Sequence, residues 1–297
     1  MATQCGVCNV YSNKLSYYTY WEESVCREHA SDGTLRCYTC HRFKKAQDPE
    51  YLDLNDNGRK LCSYCSSIAT LDPKECMPLI QNVREFYRSL NLVVDETIPF
   101  LLVDKDMMLK FIPACAGKDT IGTIWYKDSS LRACTTIKKC STSEGIIKVE
   151  KNTERLTRRC NLLTMRRKSS VRALIILFGT PGVCIGETMA HEMMHAWFYL
   201  QGCRGKLERS VEEGICRLMG YMWMEWFCSG GVDSFYKTSV QVQYTKDLKD
   251  YIAHWMELSQ DKSYGQGFRD AIKAVSKFGF NYTVDYIVKN KCLPCEI

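Results

Sequence analysis

Five residues carry the sharpest chemistry in this sequence: His191-Glu192-Met193-Met194-His195. Histidines four positions apart lie one turn apart on the same face of a helix, so both imidazoles can reach one zinc ion. Glu192 projects away from that face. It is placed to hold a water and take its proton, not to bind the metal. The chain has 5 histidines, and two of them fall inside this motif. The chemistry implied is hydrolysis at zinc, with Glu192 as general base.

A zinc peptidase needs a third protein ligand and one open coordination position. Glu212 and Glu213, followed by Gly214, stand with 16 and 17 residues between them and His195. Gluzincin-like enzymes place a glutamate on the following helix at about this distance, often directly before glycine, so Glu213 is the expected ligand. Glu212 stays open as the alternative. It falls within the apolar arc of Val211, Ile215, Leu218, Met219 and Met222, and Glu213 falls outside it. Ser210-Val211-Glu212-Glu213 also fits a purely structural capping box. An oxyanion donor is needed as well. Tyr264, in Tyr264-Gly265-Gln266-Gly267, is the candidate, against the plainer reading of a tyrosine in an ordinary turn. His254 is a second choice, better read as helix surface.

A second set of donors lies near the N-terminus. The chain has 18 cysteines, and ligand pairs recur as Cys5-x2-Cys8, Cys26-x2-His29, Cys37-x2-Cys40 and Cys62-x2-Cys65. Two donors separated by two residues can close on one ion from a tight turn, so four pairs make two tetrahedral sites. Sequential pairing assigns Cys5, Cys8, Cys26 and His29 to one ion and Cys37, Cys40, Cys62 and Cys65 to the other. Disulfides are the alternative, but they belong to exported proteins, and no basic-then-apolar leader pattern is present. A region of about 65 residues has little core of its own, so metal would supply much of its folding energy. Cys37-Tyr38-Thr39-Cys40-His41 also matches a haem-attachment motif, which would leave the other pairs unexplained. His41 is therefore expected at the surface or in packing. The arrangement resembles a LIM domain, with a central spacer of seven residues in place of two and a second pair ordered Cys-then-His. It is accordingly LIM-like.

Recognisable elements must hold these groups in place. Val171–Phe178 predicts a buried strand, closed by a turn at Gly179-Thr180-Pro181-Gly182. Helices are expected near 187–201 and 211–227, the first buried through Ala190, Met193, Met194, Trp197 and Leu200. A helical stripe starts at Met77 with Ile80, Val83, Phe86, Tyr87 and Leu90. Ile98–Val103 and Gly122–Tyr126 predict strands. Residues 128–170 are polar and basic with little periodicity. The chain from about Tyr244 is expected to be helical, broken by the glycines after Tyr264. The fold class predicted is α+β: a two-zinc LIM-like domain over 1–70, then a gluzincin-like metallopeptidase domain over 71–297.

Apolar residues make 45% of the chain and charged ones 25%, an ordinary globular balance. No apolar run approaches the ~20 residues of a membrane span. The net charge of +6, from 40 basic and 34 acidic residues, does not imply a nucleic-acid partner without a patterned basic face. The basic run Arg155, Arg158, Arg159, Arg166, Arg167, Lys168 and Arg172 is read as solvated surface. The expected location is cytoplasmic or nuclear.

His191–Trp197 (HEMMHAW) followed by Val211–Cys216 (VEEGIC) resembles the plant DA-one family of LIM-peptidases. Leu156-Thr157-Arg158, Ala173–Gly179, Tyr264–Arg269, and Leu54-Asn55-Asp56 near Arg59–Cys62 agree. The resemblance implies a ubiquitin-regulated zinc peptidase that cuts growth-regulatory proteins, ubiquitin ligases and deubiquitinases among them. It implies one catalytic and two structural zinc ions (Zn2+). Ubiquitin is an implied partner, although no acidic ubiquitin-interacting helix is read ahead of the LIM-like region. The alternative is a catalytically idle interaction or sensor module, such as a decoy domain of an immune receptor.

Overall fold

The computed structural model describes residues 3–12, 17–18, 20–56, 58–111, 121–126, 146–148 and 171–294. Leu156-Thr157-Arg158 and the basic run from Arg155 to Lys168 lie outside them. The chain divides into two compact units, Met1–Ala69 and Thr70–Ile297. Among the described residues, no helix is long and apolar enough to cross a membrane.

The first unit consists of short antiparallel ribbons. They pair β1 (Thr3–Gln4) with β2 (Tyr11–Ser12), β3 (Tyr17–Tyr18) with β4 (Ser24–Val25), and β5 (Leu52–Asp53) with β6 (Lys60–Leu61). One helical turn, α1 (Ser63–Ser67), closes it. Its apolar clusters are small, for example Cys5, Val25 and Phe43 packed with Val7 and Cys26. A buried ion pair adds to this: Arg59 Nε donates to both Asp56 oxygens at 2.9 Å. Breaking such a pair costs more than making it contributes, because the surviving charge is left buried.

The second unit is mixed α+β. Helix α2 (Cys76–Ser89) buries Leu79, Ile80, Val83, Phe86 and Tyr87. The four-stranded sheet has the order β8 (Gly122–Tyr126), β10 (Val171–Leu177), β7 (Phe100–Val103), β9 (Ile146–Lys148), with helix α3 (Lys105–Phe111) following β7. β10 runs parallel to β7 and antiparallel to β8, which forms the edge. β7 starts two residues later than expected. Pro99 has no N–H for the ladder, although its carbonyl accepts from Leu174 N at 3.0 Å. β9 lies in the polar, basic stretch whose sequence shows little periodicity. Its partner β7 is far away in sequence, and three residues show no periodicity of their own.

Helix α4 (Gly182–Leu200) begins directly after Pro181, so Gly182 belongs to the helix and not to the expected turn. The turn is made at Gly179, whose φ of 89° few other residues adopt. Leu200, expected on the buried side, is instead among the exposed apolar residues. α4 is buried almost all round, through Val183, Ile185, Met189, Met194 and Phe198, as a helix that is apolar on every face requires. It packs on β10, α2 and α5 (Arg209–Trp226). The Tyr87 hydroxyl donates to the Ala190 carbonyl at 2.5 Å, and Gly186 leaves room for the ring of Trp223.

The capping box expected at Ser210 does not form. Glu208 is the N-cap of α5, it makes no side-chain cap bond, and Ser210 lies inside the helix. A true capping box stands further on, where Thr238 and Gln241 bond reciprocally and start α7 (Ser239–Leu258) after the short α6 (Val232–Phe235). The glycines after Tyr264 do not break the chain. Lys262–Gln266 winds as a π-helical turn straight into α8 (Gly267–Phe278), with α9 (Phe280–Asn290) beyond. They are there for close approach. A Cβ on Gly267 would fall under 3.0 Å from the Ser210 carbonyl, and one on Gly214 equally close to the Gly267 carbonyl. This seats the Tyr264 turn directly against the start of α5.

Candidate metal centres

Among the described residues, three groups of side chains converge, each residue offering one ligand atom and the atoms of a group all lying within 4.8 Å of one another. They are Cys5, Cys8, Cys26 and His29; Cys37, Cys40, Cys62 and Cys65; and His191, His195 and Glu213.

The two N-terminal groups sit on matching turns. Asn9 N donates to the Cys5 carbonyl at 2.9 Å and His41 N to the Cys37 carbonyl at 3.1 Å. Asn9 and His41 both take left-handed φ, 62° and 58°. His41 thus closes a knuckle, and this accounts for its place after Cys40 without haem. Backbone N–H groups point at the sulfurs: Cys26 N to Cys5 Sγ at 3.4 Å and Cys62 N to Cys37 Sγ at 3.3 Å. The sulfurs of Cys8 and Cys26 lie 3.8 Å apart and those of Cys40 and Cys62 3.6 Å, too far for a disulfide, and none of the seven cysteines is disulfide-bonded. His29 gives Nδ1 to Asp32 (2.7 Å) and Thr34 (3.0 Å). Its buried Nε2 has no hydrogen-bond partner. An orphaned imidazole nitrogen beside three sulfurs is the donor set of a tetrahedral zinc site, and four clustered cysteines are another.

The third group is built by α4 and α5. The spacing of His191 and His195 sets their rings on one face of α4, edge to face at 66°, with Nε2 atoms 3.2 Å apart. α5 brings Glu213 opposite. Its Oε2 lies 3.4 Å from His191 Nε2 and 3.3 Å from His195 Nε2, and it is buried with no hydrogen-bond donor. Three donors crowd one point without a proton to share among them all, which suits a cation. Burial opposes ionisation of Glu213, but the His191 and His195 side chains outweigh it and hold the carboxyl below its usual range. The other oxygen, Oε1, accepts from the Tyr264 hydroxyl at 3.1 Å. Burial and the neighbouring Glu213 charge push the Tyr264 phenol up, which keeps its proton available to donate.

Glu212 is on the cluster too, but at a different atom: its Oε1 lies 2.9 Å from His195 Nδ1. By sequence the two acids are alternatives for one ligand position. Adjacent helix positions are about 100° apart, and here each meets a different nitrogen of the histidine pair. Glu192 is buried beneath the cluster and its carboxyl is pushed up by burial to about 7. Gly122, at the start of edge strand β8, lets the backbone pass over it. A Cβ there would sit 2.8 Å from Glu192 Oε1. His254 is half-buried on α7, beside Trp255 and outside all three groups.

The family described as "DA1-like: Protein DA1" matches residues 89–290. "Protein DA1-related 1" of Arabidopsis thaliana is 32% identical over 96% of this chain and 54% of its own length. "Protein DA1" of the same plant is also 32% identical, over 96% and 55%. The "LIM domain-containing protein HDR3" of Oryza sativa subsp. japonica is 28% identical over 91% and 56%. The chain spans about half the length of these curated relatives. No solved structure matches it.

Proposed function

The chain belongs to the DA1-like family, and from that premise and the cluster geometry we propose that Thr70–Ile297 is a zinc-dependent endopeptidase domain preceded by a LIM-like, protein-interacting double zinc unit. The observation that carries the reading is the meeting of His191 Nε2, His195 Nε2 and the unpartnered Glu213 Oε2. Those three atoms are the proposed ligands. Glu212 fixes the ring of His195 through Nδ1, as outer carboxylates do for metal-binding histidines. Tyr264, the oxyanion candidate, is assigned here to holding Glu213 Oε1, so that Oε2 alone faces the ion.

Zinc, when bound, supplies the positive charge that polarises a peptide carbonyl and acidifies a water. Glu192 takes that water's proton and returns it to the departing amine. Its burial suits this, because a general base works best with a pKa near the operating pH. Substrates are proposed to be proteins, with regulators of the ubiquitin system as the class the resemblance implies.

The test is Glu192→Gln in zinc-loaded protein. Zinc content and melting temperature should stay as in the parent, and cleavage of a generic unfolded protein should vanish. Equal cleavage by variant and parent would remove Glu192 from the mechanism. A parent that binds zinc but never cleaves would favour the idle module.

A further inference from the structure

A cavity of about 490 Å³ opens beside His191 and Glu192, and Arg217 lies in its wall. Arg217 stands four residues beyond Glu213, so the turn of α5 brings it to the same face. Its Nε is buried without a hydrogen-bond partner. Among the described residues no carboxylate is within ion-pair distance of its guanidinium, although the Glu187 charge acts on it through space; the Tyr264 ring lies 5.9 Å from Cζ. Buried polar groups are normally satisfied, and a half-buried cation facing a cavity without a partner marks a place where a partner is received.

The cavity's other walls narrow the choice. Ile252 and Met256 of α7 line it with apolar surface. Glu187, one turn before His191, also lines it, but its carboxylate is turned toward Gly220 of α5, where a Cβ would fall 2.7 Å from Oε1. It takes a hydrogen bond from the Thr188 hydroxyl at 3.3 Å. Burial pushes Glu187 up to about 7, which weakens it as a counter-charge for Arg217. Burial also lowers Arg217, although a guanidinium keeps its proton in proteins.

We propose that Arg217 forms a carboxylate-recognising subsite next to the His191–His195–Glu213 centre, which receives an acidic group of the peptide substrate between the apolar side chains of α7. The guanidinium fork matches a carboxylate with two parallel hydrogen bonds, whereas an amide carbonyl can satisfy only part of it. Two sources carry that chemistry: an Asp or Glu side chain beside the scissile bond, or the carboxylate at a chain end. The inference rests on the peptidase reading for its place in a reaction, but its test is one of binding.

The probes are fluorescein-labelled peptides of the form Ala-Ala-Ala-Xaa-Ala-Ala with Xaa as Glu, Gln or Leu. Each is made with a free or an amidated C-terminus, and anisotropy is read with the zinc-loaded 297-residue chain carrying Glu192→Gln, so that nothing is cut. The expected result is at least about tenfold tighter binding of one carboxylate form over its neutral counterpart, on the scale of a charge-assisted hydrogen bond. The preference should disappear when Arg217→Gln is added and return in part with Arg217→Lys. A Glu-over-Gln preference identifies the side chain as the source, and an acid-over-amide preference identifies the terminus. Equal binding within both pairs overturns the proposal, as does a preference that survives Arg217→Gln, or no binding by any peptide. The Gln and Leu comparisons need no further variant of the protein, so misfolding of an Arg217 variant cannot hide the answer. If the parent protein never cuts, the peptidase reading fails while an Arg217-dependent preference still stands.

Discussion

Replacing Glu212 by alanine removes the carboxylate that lies 2.9 Å from Nδ1 of His195. A hydrogen bond to a charged group contributes roughly 1.5–3 kcal/mol. The Glu212 side chain is 25% exposed, so water can take over part of the role, and the lower end of that range applies. About 1.5 kcal/mol corresponds to roughly a tenfold loss of zinc affinity at that site, the low end of the ~10–100-fold seen when outer-sphere partners are removed. Glu213→Ala removes a ligand and should cost considerably more. The assay is competition for zinc against a chelating dye, following the weakest-held equivalent in parent, Glu212→Ala and Glu213→Ala. Secondary structure is checked by circular dichroism. An unchanged affinity in Glu212→Ala would refute the orienting role. A loss in Glu212→Ala exceeding that in Glu213→Ala would exchange the roles of the two acids.

Gly214→Ala should destabilise the second unit by about 1–3 kcal/mol, the usual cost of overpacking, because the added methyl would meet the Gly267 carbonyl at under 3.0 Å; urea unfolding measures it. Tyr264→Phe should weaken zinc binding by about tenfold, the low end for one hydrogen bond to a carboxylate, and the same dye competition reads it. Cys40→Ser should make residues 1–69 sensitive to protease while the second unit keeps its melting transition, since thiolate–metal bonds supply folding energy there.

The motifs were legible wherever chemistry depends on short spacing. His191 and His195 share a face because four residues make one helical turn, and the paired cysteines close on one point because a knuckle spans two residues. The α+β class and the strand at Gly122–Tyr126 were legible for the same local reason. What depends on how helices cross was not. Periodicity put Glu212 inside the apolar arc and Glu213 outside it, yet both reach the histidines, since α5 meets α4 along a line that the pattern of one helix cannot specify. Tyr264, the oxyanion candidate, lines the cavity beside His191 and Glu192, and its hydroxyl also meets Glu213 because its turn packs on α5 through Gly214 and Gly267, a contact that no local pattern specifies. Arg217 was not singled out, because a lone arginine in a helix resembles any solvated charge. The available signal was its position four residues after Glu213. β9 escaped because three residues paired across a long sequence gap carry no pattern.

Each of the three groups of side chains is proposed to hold one zinc ion. Elemental analysis of dialysed protein, with and without Glu213→Ala, tests it most directly. Three zinc ions per chain are expected in the parent and two in the variant, with both proteins folded. Two in the parent, or three retained by Glu213→Ala, would contradict it.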